Sequence, residues 1–311
     1  MNLIETANLS KCYCEKARKK IYAVKDVNLS IKEGETLGLV GESGCGKSTL
    51  GKMILQLEKS TSGKVYYRGE DICRYDFNKM RTIRNKMQMI FQNSVNLFNP
   101  HYTVEQIIME PINNYNKHNT EVKEQQVVDI LEKVDLDRGY LNRYGIQLSG
   151  GQRQRVGIAR ALVLKPEFVV CDEVVSSLDF EIKHQILELL TDLKGQFGCT
   201  YLFISHDLPT IKKICDRVAV MYMGNILEII PDIYRHARHP YTQALIAAAL
   251  DTNPRNRQKK KILFRENEEH SIPEYGCVFQ NRCLYVKDKC KVVKPELRNT
   301  FSNHFVACHL I

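Results

Sequence analysis

The eight residues Gly41-Glu42-Ser43-Gly44-Cys45-Gly46-Lys47-Ser48 constrain this chain more than any other segment, because they fit the pattern G-x-x-x-x-G-K-[ST]. The segment follows the apolar run Thr36 to Val40, which reads as a strand, and leads into a helix starting near Lys47. Each residue type has a task in that setting. Glycines let successive backbone N–H groups turn inward as an anion-binding nest, and the helix N-terminus adds partial positive charge. Lys47 reaches the β and γ phosphates, and the Ser48 hydroxyl suits Mg²⁺. Gly41, Ser43, Gly44, Cys45, Gly46, Lys47, Ser48 and Thr49 are the candidate phosphate-binding set, and a nucleoside triphosphate is the natural ligand.

A magnesium nucleotide also calls for a carboxylate at the end of another core strand. The run Phe168-Val169-Val170-Cys171-Asp172-Glu173 supplies one. Asp172 is expected on the metal shell, and Glu173 is expected to polarise the attacking water. The apolar runs Phe168 to Cys171 and Tyr201 to Ile204 suit buried parallel strands. A helix from Glu181 to Leu193 separates them, with Ile182, Ile186, Leu189, Leu190 and Leu193 along one stripe. Strand, helix, strand in that order predicts an α/β core. Upstream, residues 1 to about 70 read as short strands, among them Val27 to Ile31 and Tyr66 to Arg68, broken by Gly34, Gly63 and Gly69. Between about 95 and 160 the pattern turns helical, with Val127, Ile130, Leu131 and Val134 on one face of Val122 to Val134.

At 311 residues and 43% hydrophobic content the chain can bury a sizeable core. The stretches Ile226 to Ile230 and Ala244 to Leu250 fall short of the roughly 18 apolar residues a bilayer span requires, so a membrane role is expected to run through a partner. The N-terminus lacks a basic region followed by an apolar block, which predicts a cytoplasmic location. Eleven cysteines then argue for reduced thiols or metal ligation. The formal charge of +9 is compatible with nucleic acid, anionic lipid or a phosphate-rich substrate and does not choose among them. Its densest run, Arg255, Arg257, Lys259, Lys260 and Lys261, reads as a solvated linker.

Further motifs make the reading specific. Leu148-Ser149-Gly150-Gly151-Gln152, followed by Gln154-Arg155 and Ala159-Arg160-Ala161-Leu162, resembles the signature motif of ATP-binding-cassette ATPases. Gln92 in Phe91-Gln92-Asn93 resembles their Q-loop, Ser176-Ser177-Leu178-Asp179 their D-loop, and His206 in Ile204-Ser205-His206-Asp207 their switch histidine. The resemblance covers about residues 3 to 230. It implies a P-loop NTPase cassette: a RecA-like core with an N-terminal antiparallel β subdomain and a helical subdomain at about 95–160. It also implies a head-to-tail dimer with ATP between subunits, the Ser149 helix forming a second anion site for nucleotide held by the opposite protomer. Ser149, Gly150, Gly151, Gln152 and Asp179 join the ATP-binding set on that basis. Glu173, His206 and Gln92 become the catalytic set, with Ser48, Gln92 and Asp172 around Mg²⁺. Adenine stacks on an aromatic in this family; Tyr13 fits best, although the insert Glu15 to Lys20 separates it from the loop, and Tyr22 competes.

Within the family, Val40-Gly41-Glu42-Ser43-Gly44, Asn99-Pro100, Glu110-Pro111 and His239-Pro240-Tyr241-Thr242-Gln243-Ala244-Leu245 resemble the oligopeptide and dipeptide importer branch. Residues 1–230 are then the nucleotide-binding domain and 231–311 a small C-terminal extension. By spacing alone Cys277, Cys283, Cys290 and Cys308 are a weak metal signal, because zinc sites usually use tighter pairs. The family likeness implies a [4Fe–4S] cluster on these four thiols, with Zn²⁺ or unligated thiols as alternatives and His309 as a further candidate. Val174-Val175 and Ser177 depart from the branch's usual residues near the D-loop. The implied partners are a second ATPase subunit, identical or paralogous, two transmembrane permease subunits and an extracellular substrate-binding protein, at the cytoplasmic face of the cell membrane. No nucleic acid partner is expected. A nickel or metal-chelate importer is the nearer alternative; a soluble non-transport cassette on ribosomes or DNA is the more distant one. The substrate is chosen by the permease and binding protein and is not legible in this chain.

Overall fold

The computed structural model describes residues 1–14, 20–92, 98–115, 119–249, 273–301 and 303–311. Most of the N-terminal insert, Asn93 and the basic run from Arg255 to Lys261 lie outside them. The elements in chain order are β1 (Asn2–Cys14), β2 (Lys20–Lys32), β3 (Thr36–Val40), α1 (Lys47–Ile54), β4 (Ser62–Tyr67), β5 (Glu70–Asp71), α2 (Phe77–Arg84), β6 (Met87–Ile90), α3 (Val104–Tyr115), α4 (Thr120–Lys133), α5 (Gly150–Leu162) and β7 (Phe168–Asp172). They continue with α6 (Phe180–Phe197), β8 (Thr200–Ile204), α7 (Leu208–Ile214), β9 (Arg217–Tyr222), β10 (Asn225–Ile230), α8 (Ile233–His236), α9 (Pro240–Ala248), α10 (Asp288–Val292), β11 (Arg298–Phe301) and β12 (His304–Val306). The chain divides into two compact units: Met1, Lys32–Glu35 and Arg74–Phe203 form the first, and Asn2–Ile31, Thr36–Cys73 and Ile204–Ile311 form the second.

In the first unit, β8, β7 and β6 are neighbours in that order, and β6 pairs with β7 in parallel, Ile90 opposite Cys171. All five residues of β7 are buried, as a near-continuous apolar strand requires. Helix α5 packs on α3, α4 and α6. The side chain of Asn119 caps α4, accepting from Val122 N at 3.1 Å, and Val127, Ile130 and Leu131 form its buried face. Helix α6 runs longer than the predicted Glu181 to Leu193 span and also buries Leu187.

In the second unit one sheet has the order β2-β1-β4-β5, with β1 and β4 antiparallel. Its first strand is continuous over 13 residues, where short runs were expected. The register shift between Ala7 and Ser10 and the positive φ of Asn8 (48°) explain the difference. A bulge resets the apolar alternation while pairing continues. The other strands of this unit follow the order β11-β12-β10-β9-β3, with β3 and β9 parallel and Val40 opposite Val220. Strand β10 is buried throughout, including Glu228. The Glu228 carboxylate accepts from Arg238 N (2.8 Å) and His239 N (3.1 Å) and lies 2.7 Å from His304 Nε2. Those bonds fasten the entry to α9 and strand β12 to β10, satisfying a carboxylate that burial would otherwise penalise heavily.

Candidate functional site: a phosphate loop and its companions

The fully buried β3 delivers the chain to the glycine loop, and Leu50 N donates to Gly46 O at 2.9 Å as α1 begins. Two glycines are required by what surrounds them. A Cβ at Gly46 (φ 107°) would lie 1.9 Å from Ala23 O, and one at Gly41 would lie 2.1 Å from Met221 O. The backbones of β2 and β9 therefore press on the loop where a side chain would stand. Lys47 is buried, and its ammonium donates to Gly41 O at 2.9 Å and Glu42 O at 3.0 Å across the loop. Cys45 Sγ is 3.9 Å from the same ammonium; burial pushes its thiol up more than the neighbouring charge draws it down. Ser43 and Gly44 are exposed at the loop tip, and Ser48 and Thr49 are half-buried in the first turn of α1.

Tyr13 is exposed, with Lys11 Nζ 5.0 Å from its ring centroid. Tyr22 is half-buried and immediately precedes Ala23, whose carbonyl meets Gly46. The second unit also holds His206, exposed just beyond β8 and followed by Asp207, whose N–H donates to Ser205 Oγ at 3.0 Å.

The first unit carries the remaining candidates. Asp172 is buried at the end of β7. Glu173 follows in the left-handed region at φ 47°, its carbonyl accepting from Ser176 N (3.1 Å) and Ser176 Oγ (3.0 Å). A non-glycine residue there costs about 1–2 kcal/mol, and such strain concentrates at functional positions. Gln92 Nε2 donates to Glu173 Oε2 at 2.7 Å, which brings two of the three predicted catalytic residues together. The neighbouring Val174 and Val175 are buried.

Ser149 and Asp179 also cap helices, a duty that the motif resemblance does not predict. Ser149 Oγ accepts from Gln152 N at 3.3 Å while Gln152 Oε1 accepts from Ser149 N at 2.9 Å, a reciprocal cap on α5. Gln152 Nε2 also donates to Tyr140 Oη at 2.9 Å. Asp179 Oδ1 accepts from Ile182 N at 3.0 Å and caps α6. The spacing Ser-x-x-Gln ahead of an apolar run is the signal that finds the first of these.

In the second unit, Cys277, Cys283, Cys290 and Cys308 line one cavity of about 10 Å³ together with His239 and Phe279. Cys277, Cys283 and Cys290 are buried, and these three and Cys308 are free thiols. Burial first, and then the other three thiols, push Cys277 up to about 11. A bound cation would reverse that preference, and four soft donors suit Zn²⁺ or an iron–sulfur group. The space is that of one water-sized sphere, and among the described residues no three His, Cys, Asp or Glu side chains are grouped so as to hold a metal ion. His309 Nε2 lies 2.8 Å from Val293 O.

A glycine loop between a buried strand and a helix, with an Asp-Glu pair ending a strand of mixed α/β layers, defines a P-loop nucleotide hydrolase. The chain belongs to the ABC transporter family of ATPases: residues 24–176 match the family model described as ABC transporter, and residues 229–290 match the oligopeptide/dipeptide transporter C-terminal region. It is 43% identical to the oligopeptide transport ATP-binding protein AppF of Bacillus subtilis, over 93% of this chain and 90% of that protein. It is 41% identical to a putative peptide import ATP-binding protein of Brucella ovis, over 98% of this chain and 97% of the relative. Among solved structures it resembles the dimeric bacterial ABC transporter cassette MJ0796, at a TM-score of 0.66 and 32% identity, covering 72% of this chain and 96% of that one. The same cassette is known as a dimer in a post-hydrolysis state bound to ADP and Pi, at a TM-score of 0.65. Among the described residues no helix is long and apolar enough to cross a membrane.

Proposed function

We propose that this chain hydrolyses ATP to power an importer of oligopeptides or dipeptides, working from the cytoplasmic face of the membrane on two permease subunits fed by an extracellular binding protein. The observation that carries the reading is the union, in one chain, of the Gly41 to Ser48 loop with the oligopeptide/dipeptide C-terminal region at 229–290. Residues 1–230 act as the nucleotide-binding domain and 231–311 as the extension. Gly41, Ser43, Gly44, Cys45 and Gly46 cradle the phosphates through backbone N–H groups, Lys47 neutralises the β and γ oxygens, and Ser48 with Asp172 and Gln92 serves Mg²⁺. Glu173 polarises the attacking water, with Gln92 hydrogen-bonded to it, and His206 contacts the γ phosphate. Ser149, Gly150, Gly151 and Asp179 face nucleotide held by a second ATPase subunit. The dimeric state of the solved relative supports that arrangement.

Adenine stacks on Tyr13, with Tyr22 as the competing ring. The four cysteines of the extension hold a [4Fe–4S] cluster or, second, Zn²⁺. Their shared cavity and soft donors support a thiolate site. The group's task there is to hold a small fold together rather than to take part in hydrolysis.

The test is uptake in the native host. Deleting this subunit should abolish growth on a peptide that supplies a required amino acid, and the wild-type chain should restore it where Lys47→Ala does not. Restoration by Lys47→Ala would refute the reading, and loss of nickel uptake with peptide uptake intact would favour the metal-chelate alternative.

A further inference from the structure

The extension does more than follow the phosphate loop in sequence: two of its side chains end on that loop. Tyr241 Oη accepts a hydrogen bond from Glu42 N at 3.0 Å, across 199 positions of chain. Arg282 Nη1 donates to both carboxylate oxygens of Glu42 at 3.0 Å, across 240 positions. Glu42 O in turn accepts from Lys47 Nζ at 3.0 Å and from Cys45 N at 3.3 Å. The amide and carboxylate of Glu42 are thus held by the extension while its carbonyl holds the lysine that is to meet the nucleotide.

Both clamping groups are themselves fixed. The Tyr241 ring is buried, 4.6 Å from the centroid of Tyr222 and 5.4 Å from that of Phe279. Arg282 is only 11% exposed and lies over the same two rings, 5.8 Å from Tyr222 and 6.0 Å from Phe279. Its backbone N–H donates to Phe279 O at 3.1 Å, within the turn that Cys277 opens and Cys283 closes. The guanidinium is shielded from water while the Glu42 side chain stays 39% exposed, so this charge-assisted contact from Nη1 lies between a buried and a surface ion pair.

We propose that Tyr241 and Arg282 are positioning residues for nucleotide binding, fixing Glu42 and through it the phosphate loop and Lys47. The proposal rests on the nucleotide reading above. The loop holds phosphates alike in the ground and transition states, so loosening it weakens ATP affinity more than it slows turnover at saturation.

The experiment measures ATP affinity, with a fluorescent ATP analogue, and steady-state hydrolysis for the full-length wild type, Arg282→Ala, Arg282→Lys, Glu42→Gln and the Arg282→Ala/Glu42→Gln pair. Arg282→Ala should raise Kd and KM about tenfold, the scale of losing a charge-assisted hydrogen bond, with kcat within about twofold. Arg282→Lys should recover part of the loss, since it restores the charge without the guanidinium plane that lies over Tyr222 and Phe279. In the Glu42→Gln background the further effect of Arg282→Ala should shrink below about twofold, because the partner is already altered. If Arg282→Ala fails to fold, Tyr241→Phe, which removes one hydroxyl, carries the test with a rise of about threefold. Unchanged affinity in the folded variants, or an equal loss with and without the Glu42 carboxylate, would overturn the proposal. A wild-type chain that does not bind ATP would overturn the nucleotide reading and this proposal with it.

Discussion

Acidification should weaken this protein through one buried ring, His239. The imidazole is almost fully buried at the start of α9, its Nδ1 accepts from Tyr241 N at 3.0 Å, and Nε2 has no hydrogen-bond partner among the described residues. Burial pushes the ring down to about 3 from the ordinary 6.5. Because the folded-state value is depressed, the neutral ring's stability is fully present above pH 6.5 and drains away as pH falls toward 3. Linkage sets the slope at about 1.4 kcal/mol per pH unit, so about 1.4 kcal/mol is lost by pH 5.5 and about 2.7 by pH 4.5. The control is His239→Asn, whose Oδ1 can take the same bond from Tyr241 N but does not titrate. Urea denaturation followed by far-ultraviolet circular dichroism suits a chain without tryptophan. Between pH 7 and 5.5 the wild type should lose about 1.4 kcal/mol more than His239→Asn. Equal losses in the two proteins would refute the reasoning, since every other titrating group is common to both.

Three further outcomes follow from the geometry. Gly46→Ala should abolish measurable ATP binding and destabilise the fold by about 3 kcal/mol or more, since its Cβ would meet Ala23 O at 1.9 Å; nucleotide titration and denaturation check both parts, and a variant that binds ATP normally contradicts the loop packing. Glu228→Ala should cost about 3–5 kcal/mol in urea denaturation by stripping Arg238 N, His239 N and His304 of their common acceptor. Anaerobic purification followed by iron, zinc and visible-absorption measurement should find iron on the four thiols and lose it in Cys277→Ser/Cys283→Ser; metal-free wild type with free thiols would remove the cluster from the account.

What the sequence made legible was whatever depends on neighbours along the chain. The glycine loop, the apolar β7 run ending in Asp172 and the α4 and α6 stripes all obey short-range rules, and the structure has a loop, a strand and helices there. Strand β1 outruns the short runs that the sequence predicts because a bulge at Asn8 breaks alternation without ending a strand. Contacts between distant segments were not legible. Nothing in His239-Pro240-Tyr241 announces that the tyrosine hydroxyl meets Glu42, nor does the run Ile226 to Ile230 announce that Glu228 gathers three donors in the interior. The cysteine spacing was ambiguous by itself; only the fold brings residues 31 positions apart, Cys277 and Cys308, to one cavity.

The proposed function requires that ATP on the Lys47 loop of one subunit be completed by the Ser149 helix of another, and the sharpest test traps that state. Glu173→Gln, which keeps the shape of the side chain but removes the base, should lower kcat by about 10²–10⁴-fold while retaining ATP affinity. Light scattering of this variant with Mg²⁺ and ATP, alone and mixed with the second ATPase subunit of its transporter, should then show a dimer that Ser149→Arg abolishes. A Glu173→Gln protein that binds ATP yet stays monomeric in both mixtures, or hydrolyses it at the wild-type rate, would contradict the account.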